Sequence, residues 1–180
     1  MPWRTWPPGA VTGRETPAYA SREQRDTDIE TAAGKSAAEL VTALGQANGR
    51  LLGAFQRLQG GVQVETLPTL FSGEISAYSL PARRTTELVV HHNDLDTTWD
   101  WHEAGPDAIV DAIDICVHRL QVHPDAPGLH VVAREGEEWT VGDGSVRIEG
   151  YYETLLPFLA RAEVDEGLQY EGGLPALPAW

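Results

Sequence analysis

Residues 84–95 read RTTELVVHHNDL, and four of them carry groups able to do chemistry. Glu87 stands four residues before His91, His92 follows at once, and Asp94 comes three residues after His91. On an α-helix, side chains at i and i+4 share a face one turn apart, so Glu87 and His91 project together. A carboxylate and an imidazole on one turn can supply two ligands to Zn²⁺ or a similar divalent ion. Asp94 falls beside His91 and is suited to accept a hydrogen bond that orients its ring. Spacing alone leaves two readings open, a hydrogen-bonded solvated pair or part of a metal site. A catalytic zinc usually takes three protein ligands plus an open position, so a site here needs one more donor. His92 is rotated about 100° from His91 on the helical wheel, which points it to a surface or interface role.

The remaining titratable groups add no spaced motif. His102, His118, His123 and His130 are spread over loop, helix and strand candidates. Cys116, the one cysteine, lies near the apolar side of DAIDICVHRL and reads as a buried core residue, with Asp111 and Asp114 opposing a reactive thiolate. There is no Walker loop and no GxSxG elbow; GDGSV at 142–146 reads as a hairpin turn rather than a phosphate cradle.

The helix carrying Glu87 and His91 must be positioned by the rest of the chain. Ser79 and Pro81 open it, and its pattern continues to about Thr98. Before it, Ser21 with Gln24 and Ser36 with Glu39 form two capping-box patterns. The first starts a short helix to about Ala33. The second starts an amphipathic helix of about six turns with Leu40, Leu44, Ala47, Leu51, Phe55 and Leu58 on one stripe. Residues 62–78 read as a small hairpin or extended loop. After the turn-like TTWDWHEAGPD at 97–107, Pro106 and Asp107 begin a third strong helix with Ile109, Ile113, Val117 and Leu120 on one stripe. The last third changes character: LHVVARE, EEWTVG and SVRIEG are strand candidates, and GLQYEGG is a fourth. Between them YYETLLPFLARA is a helix with Pro157 inside it, where a kink or a shifted start is expected. The fold class is therefore α+β, with a helical domain over 1–100 and an α/β domain over 101–180.

With 180 residues, 42% of them hydrophobic, the chain can bury a core. Its formal net charge of -14 argues against nucleic-acid and anionic-membrane partners. No signal-peptide h-region or membrane-length apolar run is visible, so a cytoplasmic location is expected. Arg exceeds Lys twelve to one among the 13 cations, a bias that suggests a GC-rich bacterial genome.

Three blocks resemble the mycothiol-dependent maleylpyruvate isomerase family, a branch of the DinB-like metalloenzymes. PAYASREQRDTDIETAAGKSAAELVTAL is similar to the family's Tyr-x-Ser-Arg-Glu segment before its third bundle helix. RRTTELVVHHNDLD is similar to the fourth helix with its Glu-x-x-x-His-x-x-Asp-Leu pattern. The C-terminal run from YYETLLPFLARA to LPALPAW resembles the family's closing helix, strand and Leu-Pro-x-Leu-Pro-x-Trp end. The resemblance implies a partial DinB-like helical bundle followed by a small α/β domain. It implies a divalent metal, zinc, and mycothiol as thiol cosubstrate, the metal lowering the thiol pKa. The thiolate then adds to a cis double bond, the bond rotates, and elimination gives the trans product. Glu87 and His91 match two of the family's metal ligands, Asp94 an outer-shell partner, and Arg161 a thiol-binding arginine displaced by one residue. The family's first metal-ligand histidine has no counterpart, because no His precedes His91; the first two bundle helices are expected to be absent. Two functions follow: a metal- and mycothiol-dependent enzyme acting on a small molecule, or a shortened, non-catalytic paralogue serving as an interaction module. A homodimer rebuilding the bundle would cover the Leu40–Leu58 stripe.

Overall fold

A computed structural model describes residues 19–61, 65–68, 74–95 and 97–178. The chain divides into two compact units, Met1–Pro81 and Ala82–Trp180.

In the first unit, α1 spans Arg22–Ala33 and α2 spans Ala37–Leu58. Both starts follow the capping chemistry. Ser21 Oγ accepts from the Gln24 N–H, and Ser36 with Glu39 closes a reciprocal box. Strands β1 (Thr66–Pro68) and β2 (Glu74–Ser76) pair antiparallel, Leu67 opposite Ile75. These two side chains are buried with Ala77 and Leu80, and Phe55 and Leu58 of α2 pack against them. The strand pair realises the expected hairpin, with β1 starting later than VQVET; residues 62–64 and 69–73 lie outside the described residues. The α2 stripe is covered only toward its C-terminal end. Leu51 is 6% exposed, whereas Leu40 and Leu44 are 38% and 42% exposed.

The boundary between units falls inside α3 (Leu80–Asn93). In the second unit follow α4 (Pro106–Val122), β3 (Leu129–Ala133), β4 (Glu138–Val141), β5 (Val146–Gly150), α5 (Tyr152–Arg161) and β6 (Gln169–Tyr170). The sheet order is β4-β3-β5-β6, with β3 and β5 parallel and the other pairs antiparallel. Helices α4 and α5 pack on each other, α4 also against β4 and α5 against β3 and β5. Leu129, Val131 and Ala133 alternate into the core from β3, as period-two patterning requires. The α4 stripe Ile109, Ile113, Val117 and Leu120 is buried, and Val89 and Val90 tie α3 to the same core.

Three expectations are corrected. Helix α3 stops at Asn93, before Thr98. Beyond it, Thr97 Oγ1 accepts from the Trp99 N–H and Asp100 caps a short 3₁₀ helix over Trp101–Ala104. These side chains offer the backbone partners outside an α-helix. Pro157 does not shift the start of α5, which runs through it from Tyr152, although proline removes a helical hydrogen bond at a cost of about 3 kcal/mol. Leu155, Leu156, Phe158 and Leu159 around it are almost fully buried, each stabilising by roughly 1.5–3 kcal/mol, which outweighs that cost.

The third correction concerns GDGSV, which is a turn but not a hairpin. Strands β4 and β5 are not neighbours; the connection crosses the end of β3 and delivers β5 to its far side. Gly142 and Gly144 take positive φ of 55° and 66° in this crossing. It runs so close to Gly128 that a Cβ there would lie 1.7 Å from Asp143 Oδ1 and 2.8 Å from Ser145 Oγ. Asp143 cannot swing aside freely, because Oδ1 accepts from the Ser145 N–H at 3.1 Å. Gly128→Ala is therefore expected to destabilise the second unit by about 1–3 kcal/mol, read as a lowered urea midpoint. Adding Asp143→Ala should recover part of the loss.

Candidate metal centre

Helix α3 brings Glu87 and His91 onto one face. Glu87 Oε2 lies 3.3 Å from His91 Nε2, and His91 Nδ1 lies 2.7 Å from Asp94 Oδ2. Asp94 stands just past the helix end, its N–H reaching back to the Val90 carbonyl at 3.3 Å. Arg161, the last residue of α5, closes the chain of contacts. Its Nε donates to Asp94 Oδ1 at 2.9 Å and its Nη2 to Asp94 Oδ2 at 2.7 Å. This fork is the two-bond geometry that guanidinium and carboxylate planes favour. All four residues belong to the second unit.

The electrostatics follow the contacts. The Arg161 guanidinium, helped by His91, holds the Asp94 carboxyl at about 2. The hydrogen bond to Glu87 chiefly raises the His91 imidazole above its ordinary value; burial opposes it, and the Asp94 contact adds to the rise. Arg83 and Arg84, one turn before Glu87, are lowered by burial while the Glu87 carboxylate pulls them back up. Leu88, next to Glu87 on α3, and Leu95, next to Asp94, are 51% and 68% exposed.

The donor set fits a divalent ion in part. Two donors on one tetrahedral ion with bonds of about 2.0–2.1 Å are about 3.3 Å apart, and the Nε2 to Oε2 separation is 3.3 Å. Asp94 on Nδ1 leaves Nε2 as the ligating nitrogen, as outer-shell carboxylates do at histidine ligands. Among the described residues no group of three His, Cys, Asp or Glu side chains is arranged to hold a metal. The described residues thus furnish two ligands and their support, and no third.

The other candidates lie elsewhere. His92 stacks on Trp99, ring centroids 4.5 Å apart and planes 13° from parallel, and Trp101 tilts against Trp99 at 6.1 Å. His130 Nε2 meets Glu138 Oε2 at 2.9 Å. Cys116 is fully buried, and burial pushes its thiol up to about 12, which fits the core role. His102 forms a contact that local sequence did not signal. Its Nδ1 meets Asp100, and its Nε2 lies 3.3 Å from Glu153 Oε1, a residue distant in sequence. Asp100 chiefly raises the His102 imidazole. Its NMR titration midpoint is therefore expected above 6.5, falling back toward that value in Asp100→Asn. The associated stabilisation is present below the unfolded-state pKa and lost as pH rises through the folded one.

Three comparisons bear on the chain. The family model described as the mycothiol maleylpyruvate isomerase N-terminal domain matches residues 3–96. A crystal structure of the mycothiol-dependent maleylpyruvate isomerase superposes with a TM-score of 0.81 at 19% identity, covering 99% of this chain and 76% of that one. A structure of its histidine-to-alanine mutant gives the same score and identity, covering 100% and 76%. At that identity the likeness shows the fold. No curated protein matches. Among the described residues no helix is long and apolar enough to cross a membrane.

Proposed function

Because the chain belongs to the mycothiol maleylpyruvate isomerase family, we propose that it is a mycothiol-dependent, metal-binding enzyme of small-molecule metabolism. Its reaction is thiol-assisted cis–trans isomerisation or thiol transfer. The carrying observation is the Glu87–His91 donor pair at 3.3 Å, backed by Asp94 on the far nitrogen of the same ring. Glu87 and His91 would hold the metal, zinc in this reading. Bound there, a divalent ion supplies Lewis acidity that makes thiolate available near neutral pH.

The chain's own residues do the rest. Asp94 accepts a hydrogen bond from His91 Nδ1–H and keeps Nε2 turned toward Glu87. Glu87 contributes negative charge and an oxygen donor. Arg161 enters as a candidate thiol-binding residue of the same cluster. In isomerisation, the thiolate sulfur adds to one carbon of the cis double bond as the π pair moves to the other carbon, the remaining single bond rotates, and return of that pair expels the thiolate and restores the alkene in trans form. The thiol is regenerated, so only its steady presence is required. By family resemblance residues 1–100 are read as the metal-binding helical domain and 101–180 as the α/β domain; by packing, the stretch from Ala82 onward, with Glu87 and His91, belongs to the second compact unit. The cytoplasm, where thiols are kept reduced, is the matching compartment.

A second reading rests on a specific observation. Leu40, Val41, Leu44 and Leu52 of α2 are 38%, 70%, 42% and 63% exposed. A homodimer burying them would make the protein a non-catalytic interaction module, or complete a metal site from two chains. Metal analysis of the purified chain combined with light scattering separates the readings. Stoichiometric zinc and mycothiol-dependent turnover support the enzyme; a folded, metal-free dimer supports the module.

A further inference from the structure

We propose that Arg161 is a positioning residue for His91, acting through the Asp94 carboxylate. The inference rests on the metal-site reading for its consequence, but its geometry stands apart from any metal. Asp94 is a short side chain just beyond the end of α3 and 37% exposed, a place where a carboxylate ordinarily samples several rotamers. Here both of its oxygens are taken by one guanidinium, at 2.9 and 2.7 Å. Oδ2 is shared with His91 Nδ1 at 2.7 Å.

The guanidinium is itself fixed. Nη1 donates to the Ala160 carbonyl at 3.0 Å. The helix end that bears it is anchored by Phe158, Leu159 and Ala160, at 2%, 1% and 4% exposure. It is closed by Ala162 in the left-handed conformation, φ 55°, whose N–H bonds the Phe158 carbonyl.

The consequence for His91 is orientational. A carboxylate lies at each ring nitrogen, so a free ring has no strong reason to prefer one flip of its imidazole. With Asp94 clamped from α5, the Nδ1 contact is made in one place and Nε2 is left facing Glu87. The end of one helix thereby sets the ring on another, 67 residues apart in sequence for the Arg161–Asp94 bond. A lysine could supply the charge but not span both oxygens.

The test uses the full chain with ¹⁵N-labelled imidazoles and no added metal. The wild type is expected to show a hydrogen-bonded His91 Nδ1–H resonance. Arg161→Gln should abolish it, as should Asp94→Asn, and the double variant should look like Asp94→Asn alone. Arg161→Lys, which keeps the charge and stem, should lose it too and serves where the glutamine variant folds poorly. Titration with zinc alone against a chelator should then show affinity about tenfold or more weaker in Arg161→Gln, with no added loss in the Asp94→Asn background. An undisturbed Nδ1–H resonance in both Arg161 variants overturns the proposal, as does an additive loss in the double variant. If the wild type binds no zinc, the metal reading fails while the NMR comparison still decides the role of Arg161.

Discussion

Replacing His91 by alanine is expected to cut bound zinc from about one per chain to background and mycothiol-dependent turnover by more than a hundredfold. The magnitude follows from the geometry. Loss of an outer-shell partner at a metal-ligating histidine typically costs 10–100-fold in affinity or activity, and His91 is the ligand itself in this account. Among the described residues only two donors converge here, Glu87 Oε2 and His91 Nε2 at 3.3 Å. Removing either leaves one, and one side chain cannot hold a divalent ion against water. Glu87→Ala should match His91→Ala for the same reason. Asp94→Asn should fall between them and wild type, since it disturbs only the ring orientation. His92→Ala is the internal control: its ring stacks on Trp99 and should leave zinc content unchanged. Folding of each variant is checked by circular dichroism, so that lost zinc is not read from lost structure. Equal zinc in wild type and His91→Ala would sink the assignment.

The second large effect is on stability. Phe158→Ala is expected to destabilise the second unit by about 3–5 kcal/mol, the range for a buried phenylalanine replaced by alanine. Phe158 is 2% exposed on a helix with eight buried residues out of ten. Little around it can collapse into the void, because Leu155, Leu156 and Leu159 are held against α4 and the sheet. Against a domain stability of roughly 5–15 kcal/mol, this is a substantial fraction. Arg161 lies three residues further along α5. Loosening that helix should therefore also weaken the clamp on Asp94. Chemical unfolding gives the first effect and the His91 Nδ1–H resonance the second. An unfolding midpoint within error of wild type would contradict the central place given to α5.

The helices were legible because their signals are local. Ser21 and Ser36 each cap the backbone three residues on, and the α4 stripe repeats at helical spacing. The Glu87–His91–Asp94 contacts were legible for the same reason, being contained within two turns of one helix and its end. What local sequence could not reveal were contacts made by tertiary packing. The β4–β5 connection reads as a tight turn in isolation, and only the sheet order shows that it crosses β3 above Gly128. Pro157 argues against helix on propensity, and burial of its neighbours overrides it. Beyond the stop of α3 at Asn93, Thr97 takes the Trp99 N–H and Asp100 caps the short 3₁₀ helix, local polar contacts that an apolar period does not register. Arg161 was singled out by resemblance alone, and its bonds to Asp94 come from the packing that brings the ends of α3 and α5 together.

In the proposed reading Glu87 and His91 together hold the metal. X-ray absorption at the zinc edge on the zinc-loaded full chain tests it most directly. Nitrogen and oxygen neighbours at about 2.0–2.1 Å are expected, with the outer-shell scattering of an imidazole ring, whereas His91→Ala taken through the same loading should retain only background zinc and show no such scattering. A zinc environment without imidazole scattering in the wild type, or one unchanged in His91→Ala, would contradict it.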